Sequence, residues 1–218
     1  MENNKQIQNV SKATIGRLPA YHRYLKEQQA KGEKTISSTA VAEELHLNPV
    51  QVRKDLAVIS SVAGKPKLGF EIADLIEDID RMLGYDNVTD AVIVGAGGLG
   101  SALIGYGGFK AYGLNIVAAF DSDPERIDTQ ISGVKVFDAA EIVKLVRRLN
   151  VLIGIVAVPK SAAQEVADKL VEGGVRAIWN FAPVHLNVPE NIAVKNEDMA
   201  ASLAILSKRL AEILYSEK

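Results

Sequence analysis

Gly95-Ala96-Gly97-Gly98-Leu99-Gly100 fits the spacing G-x-G-x-x-G. Glycines so spaced allow a tight turn, a close approach of backbone N–H groups to a pyrophosphate, and close packing of a helix on a strand. A helix N-terminus behind such a turn adds partial positive charge where the anion would sit. Asp121 stands 21 residues past Gly100, at the end of the β-like run Asn115–Phe120. An acid there accepts hydrogen bonds from adenosine ribose hydroxyls and repels a 2′-phosphate, which favours NADH and NAD+. Arg126 has two readings, a local pair with Asp123 or Asp128, or a holder of a 2′-phosphate. Two later β-like runs end at Val158-Pro159 and at Asn180-Phe181-Ala182-Pro183, and open α/β sheets bind ligands beyond the carboxyl ends of their strands. The expected cofactor-binding residues are therefore Gly95, Ala96, Gly97, Gly98, Leu99, Gly100, Asp121, Val158, Pro159 and Asn180. The same residues also fit a tight strand–helix turn that binds nothing, and a CoA-binding domain of the same architecture.

A second set of residues suits a polyanion. Asn48-Pro49-Val50-Gln51 opens a helix in which Val52, Leu56 and Ile59 form one apolar stripe, leaving Gln51, Arg53, Lys54 and Asp55 on the other faces. Asn48 is a good N-cap, Pro49 suits the first helical position, and Gln51 completes a capping-box-like pair with Asn48. A shorter helix precedes it, from Thr39 to Leu45, capped by Ser38 and joined through His46-Leu47. Two helices around a tight turn, the second basic near its start, make the helix-turn-helix pattern. Its second helix meets base edges in the major groove, where the arginine fork matches guanine and glutamine pairs with adenine. The segment from Gly64 to Phe70 holds Lys65 and Lys67 among turn formers and reads as a β-wing resting on phosphates. The expected DNA-binding residues are Ser38, Asn48, Gln51, Arg53, Lys54, Lys65 and Lys67. A plain helical cap or protein-interaction module is the other reading of this half.

The elements that would carry these residues fall into two unlike halves. Residues 1–69 hold 11 lysines and arginines against 6 acids, a surplus of +5, so the remainder carries −7 of the net −2. The first half reads as short helices. From Asp90 onward β-like runs alternate with helical ones, the signature of a parallel sheet in βαβ units. Phe70–Leu83 has apolar residues at helical spacing and reads as a connecting helix. The segment 197–218 carries Met199, Leu203, Leu206, Leu210, Ile213 and Leu214 as a long apolar stripe, which would pack on its own sheet or on a second subunit.

The 218 residues include no cysteine, which excludes a disulfide framework and a thiolate metal site. The three histidines, His22, His46 and His185, have no metal-ligand spacing. His185, the one histidine of the second half, has no accompanying Tyr-x-x-x-Lys pair, His-Asp pair or metal set, so no catalytic residue is expected. No apolar run approaches the ~18 residues of a membrane span and the first residues lack a signal-peptide core, so the expected compartment is the cytoplasm.

Taken together, the chain resembles the Rex family of redox-sensing transcriptional repressors. The resemblance runs over almost the whole length. It rests on Lys12-Ala13-Thr14 with Arg17-Leu18-Pro19, Val52-Arg53-Lys54-Asp55 and Gly95–Gly100. It continues through Tyr106 with Gly108-Phe109, Asn180-Phe181-Ala182-Pro183-Val184 and Glu197-Asp198-Met199-Ala200. The chain departs from the family at Leu56–Ala63, which lacks the aromatic, glycine-rich stretch that leads into the wing. The resemblance implies an α/β protein, an N-terminal winged helix followed by a Rossmann domain, in a homodimer whose C-terminal helix is exchanged. It implies residues 1–85 as the DNA-binding domain with its connecting helix, 86–196 as the NAD(H)-binding domain, and 197–218 as the dimerisation helix. It further implies binding to an operator with an inverted repeat, release by NADH, and a switch built from Arg17, Tyr106 and Asp198. A small NAD-dependent oxidoreductase or a CoA-binding protein with a helical accessory domain is the alternative on the residues alone.

Overall fold

The computed structural model describes residues 10–64, 68–86 and 89–216. Lys65 and Lys67 of the expected wing, with Pro66 between them, lie outside the described residues. The chain divides into two compact units, Met1–Asn87 and Val88–Lys218.

In the first unit Ser11 caps α1 (Lys12–Ala30) by accepting the Thr14 N–H at 3.0 Å. The strand β1 (Thr35–Ile36) pairs antiparallel with β2 (Phe70–Glu71), Ile36 opposite Phe70. Between them lie α2 (Ser38–Glu44) and α3 (Pro49–Ile59). The cap of α2 is Ser37 and not Ser38: Ser37 accepts the Ala40 N–H at 3.0 Å, and Ser38 is already helical. The strand pairing at Ile36 leaves Ser37 extended, so the helix starts one residue earlier than its apolar pattern implied. α2 ends in a Schellman motif. His46 takes φ 52°, its N–H bonds the Glu43 carbonyl, and the Leu47 N–H bonds the Ala42 carbonyl at 2.9 Å. That reversal turns the chain directly into α3.

The helix α4 (Ile72–Leu83), the last element before the second unit, also packs in the core of the first. Its Ile72, Leu75, Ile76 and Ile79 are buried with Leu18, Tyr21 and Leu25 of α1 and Val52, Leu56 and Ile59 of α3. Each such side chain contributes about 1.5–3 kcal/mol by burial, so α4 is part of what holds this unit together.

The second unit is a seven-stranded sheet in the order β5-β6-β4-β3-β7-β8-β9, with β3 Thr89–Val94, β4 Leu114–Asp121, β5 Gln130–Ile131, β6 Val134–Asp138, β7 Ile153–Val156, β8 Ala177–Asn180 and β9 Ala193–Asn196. All pairings are parallel except β5 with β6. Without β5 this is the strand order of the doubly wound dinucleotide fold, whose switch point lies between β3 and β7. One face is covered by α5 (Gly98–Gly105) and the 3₁₀ turn Gly107–Tyr112 that follows it. The other is covered by α6 (Ile142–Leu149) and α7 (Lys160–Gly173). No helix joins β4 to β6 among the described residues. A turn and the short β5 take its place, contrary to the helical segment expected there. The chain ends in α8 (Met199–Ser216), every residue of which is exposed.

Candidate functional site

At the switch point the glycine loop leaves β3 and enters α5. Gly95 takes φ +97°, and a methyl group there would overlap the Ala157 carbonyl of the loop after β7. A methyl on Gly100 would overlap the Gly95 carbonyl oxygen. These two glycines are packing requirements, one for the turn and one for the approach of α5 to the loop. Gly97 and Gly98 face open space, and α5 has no side-chain cap. With no capping side chain, the N–H groups of the first turn of α5 are left for a ligand or solvent, the setting in which helix N-termini bind anions. A cavity of about 400 Å³ lies alongside, lined by Gly95, Gly97, Asp121, Val158 and Pro159 among others. Its size is in the range of small-molecule sites, and an open glycine cradle beside it fits the pyrophosphate of a dinucleotide.

Asp121 is less free than its position at the end of β4 implied. Its Oδ2 accepts the Ala96 N–H at 2.7 Å and its Oδ1 accepts the Asp123 N–H at 3.0 Å. The carboxylate shapes the loop, and its remaining lone pairs are what a ribose would meet. Ala96, Gly98, Leu99, Gly100 and Asn180 do not line the cavity. Asn180 is fully buried; its Nδ2 donates to the Ala182 and Val184 carbonyls and to Asn196, and its Oδ1 accepts the Ala182 N–H. The amide thereby holds the loop after β8. His185, downstream of that loop, is exposed, and no group of His, Asp and Glu with metal-binding geometry exists among the described residues.

In the first unit Asn48 caps α3 by accepting the Val50 and Gln51 N–H groups at 2.9 and 3.2 Å. Arg53 and Lys54 are exposed and make no ion pair among the described residues. Gln51 differs from expectation. Its side chain does not close a capping box but donates to Asp55 Oδ1 at 2.9 Å. Asp55 in turn does not sit on an outer face: it is 2% exposed. It receives a bidentate clamp from Arg17 (Nε to Oδ2 2.7 Å, Nη2 to Oδ1 2.9 Å) with further bonds from Thr14 and Tyr21. Periodicity alone could not find it, because Thr14, Arg17 and Tyr21, which bury it, lie 34 to 41 residues upstream. A second buried acid, Asp78 of α4, accepts the Ser61 N–H and hydroxyl at 2.7 and 2.9 Å. It thereby anchors the chain where it leaves α3 toward the wing. Asp55 fixes α3 against α1 and Asp78 fixes the chain that follows α3; helical periodicity shows neither role.

Two family models match the chain. Residues 86–184 match the model described as "CoA binding domain", and residues 9–57 match "Putative DNA-binding protein N-terminus". The redox-sensing transcriptional repressor Rex of Treponema denticola is 42% identical over 88% of this chain and 91% of its own length. That of Desulforamulus reducens is 43% identical over 93% and 96%. The chain belongs to the Rex family of redox-sensing transcriptional repressors. Two crystal structures of the Rex-family repressor RSP, each 36% identical, superpose over nearly the whole chain. The one in complex with β-NAD+ and operator DNA gives a TM-score of 0.87 and covers 95% of this chain and 96% of its own. The complex with β-NADH gives 0.84, with 96% and 98% covered.

Of the residues that the Rex resemblance names as a switch, Arg17 is bonded to Asp55 within the first unit. Tyr106 caps α5 and is 52% exposed; its ring covers Gly108, where a methyl would meet it, and stands edge-on to Phe109 at 4.9 Å. Phe109 packs on Trp179, whose Nε1–H donates to Glu197 at 2.8 Å. Asp198, the next residue, accepts the Ala201 N–H at 2.9 Å in the first turn of α8. An aromatic series thus runs within the second unit from the end of the cradle helix to the residue before Asp198.

Proposed function

We propose that this Rex chain is a homodimeric repressor that binds operator DNA through α3 and is released from it by NADH, so that it answers the NADH/NAD+ ratio. It acts without turnover. The reading rests on one observation above all: an open glycine cradle with Asp121 beside it occurs in the same chain as a capped, basic second helix of a helix-turn-helix. The relatives support it, being named repressors, with RSP solved with NADH and with NAD+ on operator DNA. A repressor acts where its operator lies, which makes the cytoplasm its compartment. Among the described residues no helix is long and apolar enough to cross a membrane.

The dinucleotide supplies two redox forms of different charge and shape, and the protein supplies differential binding. If NADH prefers a conformation that DNA does not, each ligand weakens the other by the same factor. Arg17, Tyr106 and Asp198 are the proposed relay. The trio is expected to differ between the two cofactor states and so to carry the coupling.

The test is operator affinity, measured by gel shift on the chain's own upstream region, with and without NADH. NADH is expected to lower it. Lys54→Ala should reduce the slope of log affinity against log salt by about one unit if Lys54 meets a phosphate. Joining Arg53→Ala to it should remove most specific binding. An unchanged affinity in the double variant would show that α3 does not face DNA.

The dimer carries its own test. Met199, Leu203, Ile205, Leu206, Leu210, Ile213, Leu214 and Tyr215 are each at least 48% exposed on α8, an apolar surface of the kind that marks an interface. Leu206→Asp with Leu210→Asp is expected to give a folded monomer by light scattering. A dimer of unchanged stability would place the interface elsewhere.

A further inference from the structure

Two cations line the cavity beside the glycine loop, Arg126 and Lys169, against the acids Asp121, Asp123 and Glu165. Both cations are already paired, each with an acid of its own segment. Lys169 Nζ lies 2.7 Å from Glu165 Oε1, one turn away on α7. Arg126 Nε donates to Asp123 Oδ2 at 3.2 Å, and its Nη1 donates to the Ala96 carbonyl at 2.7 Å. Asp121 takes the other side of that residue, the Ala96 N–H, together with the Asp123 N–H. Asp121, Ala96, Arg126 and Asp123 therefore close a polar ring at the entry of the loop. Arg126 is held in that ring by Asp123 and the Ala96 carbonyl.

We propose that Asp123 is a specificity-determining residue: by holding Arg126 against the Ala96 carbonyl, it makes this end of the cavity take an adenosine whose ribose hydroxyls are free and refuse one that carries a phosphate. The proposal rests on the reading that the cavity holds an adenine dinucleotide. A ribose phosphate adds up to two negative charges, on the 2′ oxygen in NADPH and on the 3′ oxygen in CoA. It meets three carboxylates against two cations, each cation already neutralised by an acid of its own segment, so the net field at this end opposes it. The same arrangement distinguishes the dinucleotide from CoA, although the sheet matches a CoA-binding model.

Asp123 is the informative residue because Asp121 is not separable from the loop: removing it frees the Ala96 N–H and disturbs every ligand alike. Asp123 and Arg126 are each 43% exposed at the side chain, so the guanidinium has room to swing once released. The loop does not then lose its hold on the Ala96 carbonyl, since the Ser101 hydroxyl also donates to it at 2.8 Å. Asparagine at 123 removes the charge and keeps an oxygen for the Glu125 N–H, which Asp123 accepts at 3.0 Å.

The experiment is titration of the purified full chain with NADH, NADPH and CoA by calorimetry. The wild type is expected to bind NADH and to bind NADPH and CoA far more weakly. In Asp123→Asn the ratio of NADPH to NADH dissociation constants is expected to fall about tenfold, the size of one charge-assisted hydrogen bond gained by the 2′-phosphate. Adding Arg126→Ala should restore the original ratio, and Arg126→Ala alone should not lower it. A ratio unchanged in Asp123→Asn with NADH binding intact overturns the proposal alone, as does a lowered ratio that survives removal of Arg126. A wild type that binds CoA but not NADH overturns the functional reading itself and the proposal with it.

Discussion

Asp55→Ala is expected to cost the N-terminal unit about 3 kcal/mol, the low end for removing one partner of a buried ion pair, because Arg17 keeps partial access to water. The side chain of Arg17 is 24% exposed and that of Asp55 2%. The loss leaves Tyr21 and Thr14 buried without this acceptor, and it frees Gln51 and Arg17 beside the start of α3. Domains of this size hold only about 5–15 kcal/mol in total, so urea unfolding followed by circular dichroism should show an earlier transition, and operator binding should weaken along with it. The pH dependence has a definite sign. Burial pushes the Asp55 pKa up, but the bonds from Arg17, Tyr21, Gln51 and Thr14 outweigh it and hold it below the usual carboxylate value. A lowered folded-state pKa contributes stability that is complete above the unfolded pKa of about 4 and is lost as pH falls through the folded value. The gap in stability between wild type and Asp55→Asn should therefore close below about pH 4. At the other limb Tyr21 is pushed up to about 12, by burial first and then by Asp55. Its contribution is complete below its unfolded pKa of about 10 and fades as pH rises beyond it. A constant gap down to the acid transition would mean that the charge of Asp55 carries little of the unit's stability.

Gly100→Ala is expected to abolish the response to NADH. The added methyl overlaps the Gly95 carbonyl oxygen, a backbone atom that has no rotamer by which to withdraw. Either α5 moves off the sheet or the loop opens, and both spoil the alignment of the N–H groups at the start of α5. Overpacking of this kind costs about 1–3 kcal/mol, visible as a lower melting temperature, and NADH affinity should fall by at least about tenfold, equivalent to 1.4 kcal/mol. Gly98→Ala is the contrasting variant. Nothing lies within 4 Å of its added carbon, so it should melt as the wild type does and reveal only what the methyl does to an incoming ligand. Normal NADH binding by Gly100→Ala would mean that the ligand does not sit on this loop.

Much of the site was legible in the residues because its rules are local. A glycine loop between a strand and a helix, an acid at the end of the next strand, and Asn48-Pro49 at the head of α3 each depend on a few neighbouring residues, and each stands where the pattern put it. The one-residue error at the Ser37 cap came from a longer-range cause, the pairing of Ile36 with Phe70 across 34 positions. The strand β5, of two residues, is too short for alternation to register against loop sequence.

Carboxylates were the main blind spot. Asp55 and Asp78 sit at polar positions of amphipathic helices, where pattern assigns them to solvent. Only the packing of α1 on α3 and the path of the chain after α3 reveal their partners. Asp121, Asp123 and Arg126 were visible as charged residues, but which of them holds which depended on the Ala96 peptide 25 residues away from Asp121 and 30 from Arg126. The sequence by itself determined the family, the two halves and the places where backbone must turn or a helix must begin, since sterics and capping act within one or two turns of chain. Tertiary structure alone decided which charges are spent on the protein and which remain for a ligand, because a buried or half-buried ion takes its partner from whatever residue the fold brings within about 3 Å, at any separation along the chain.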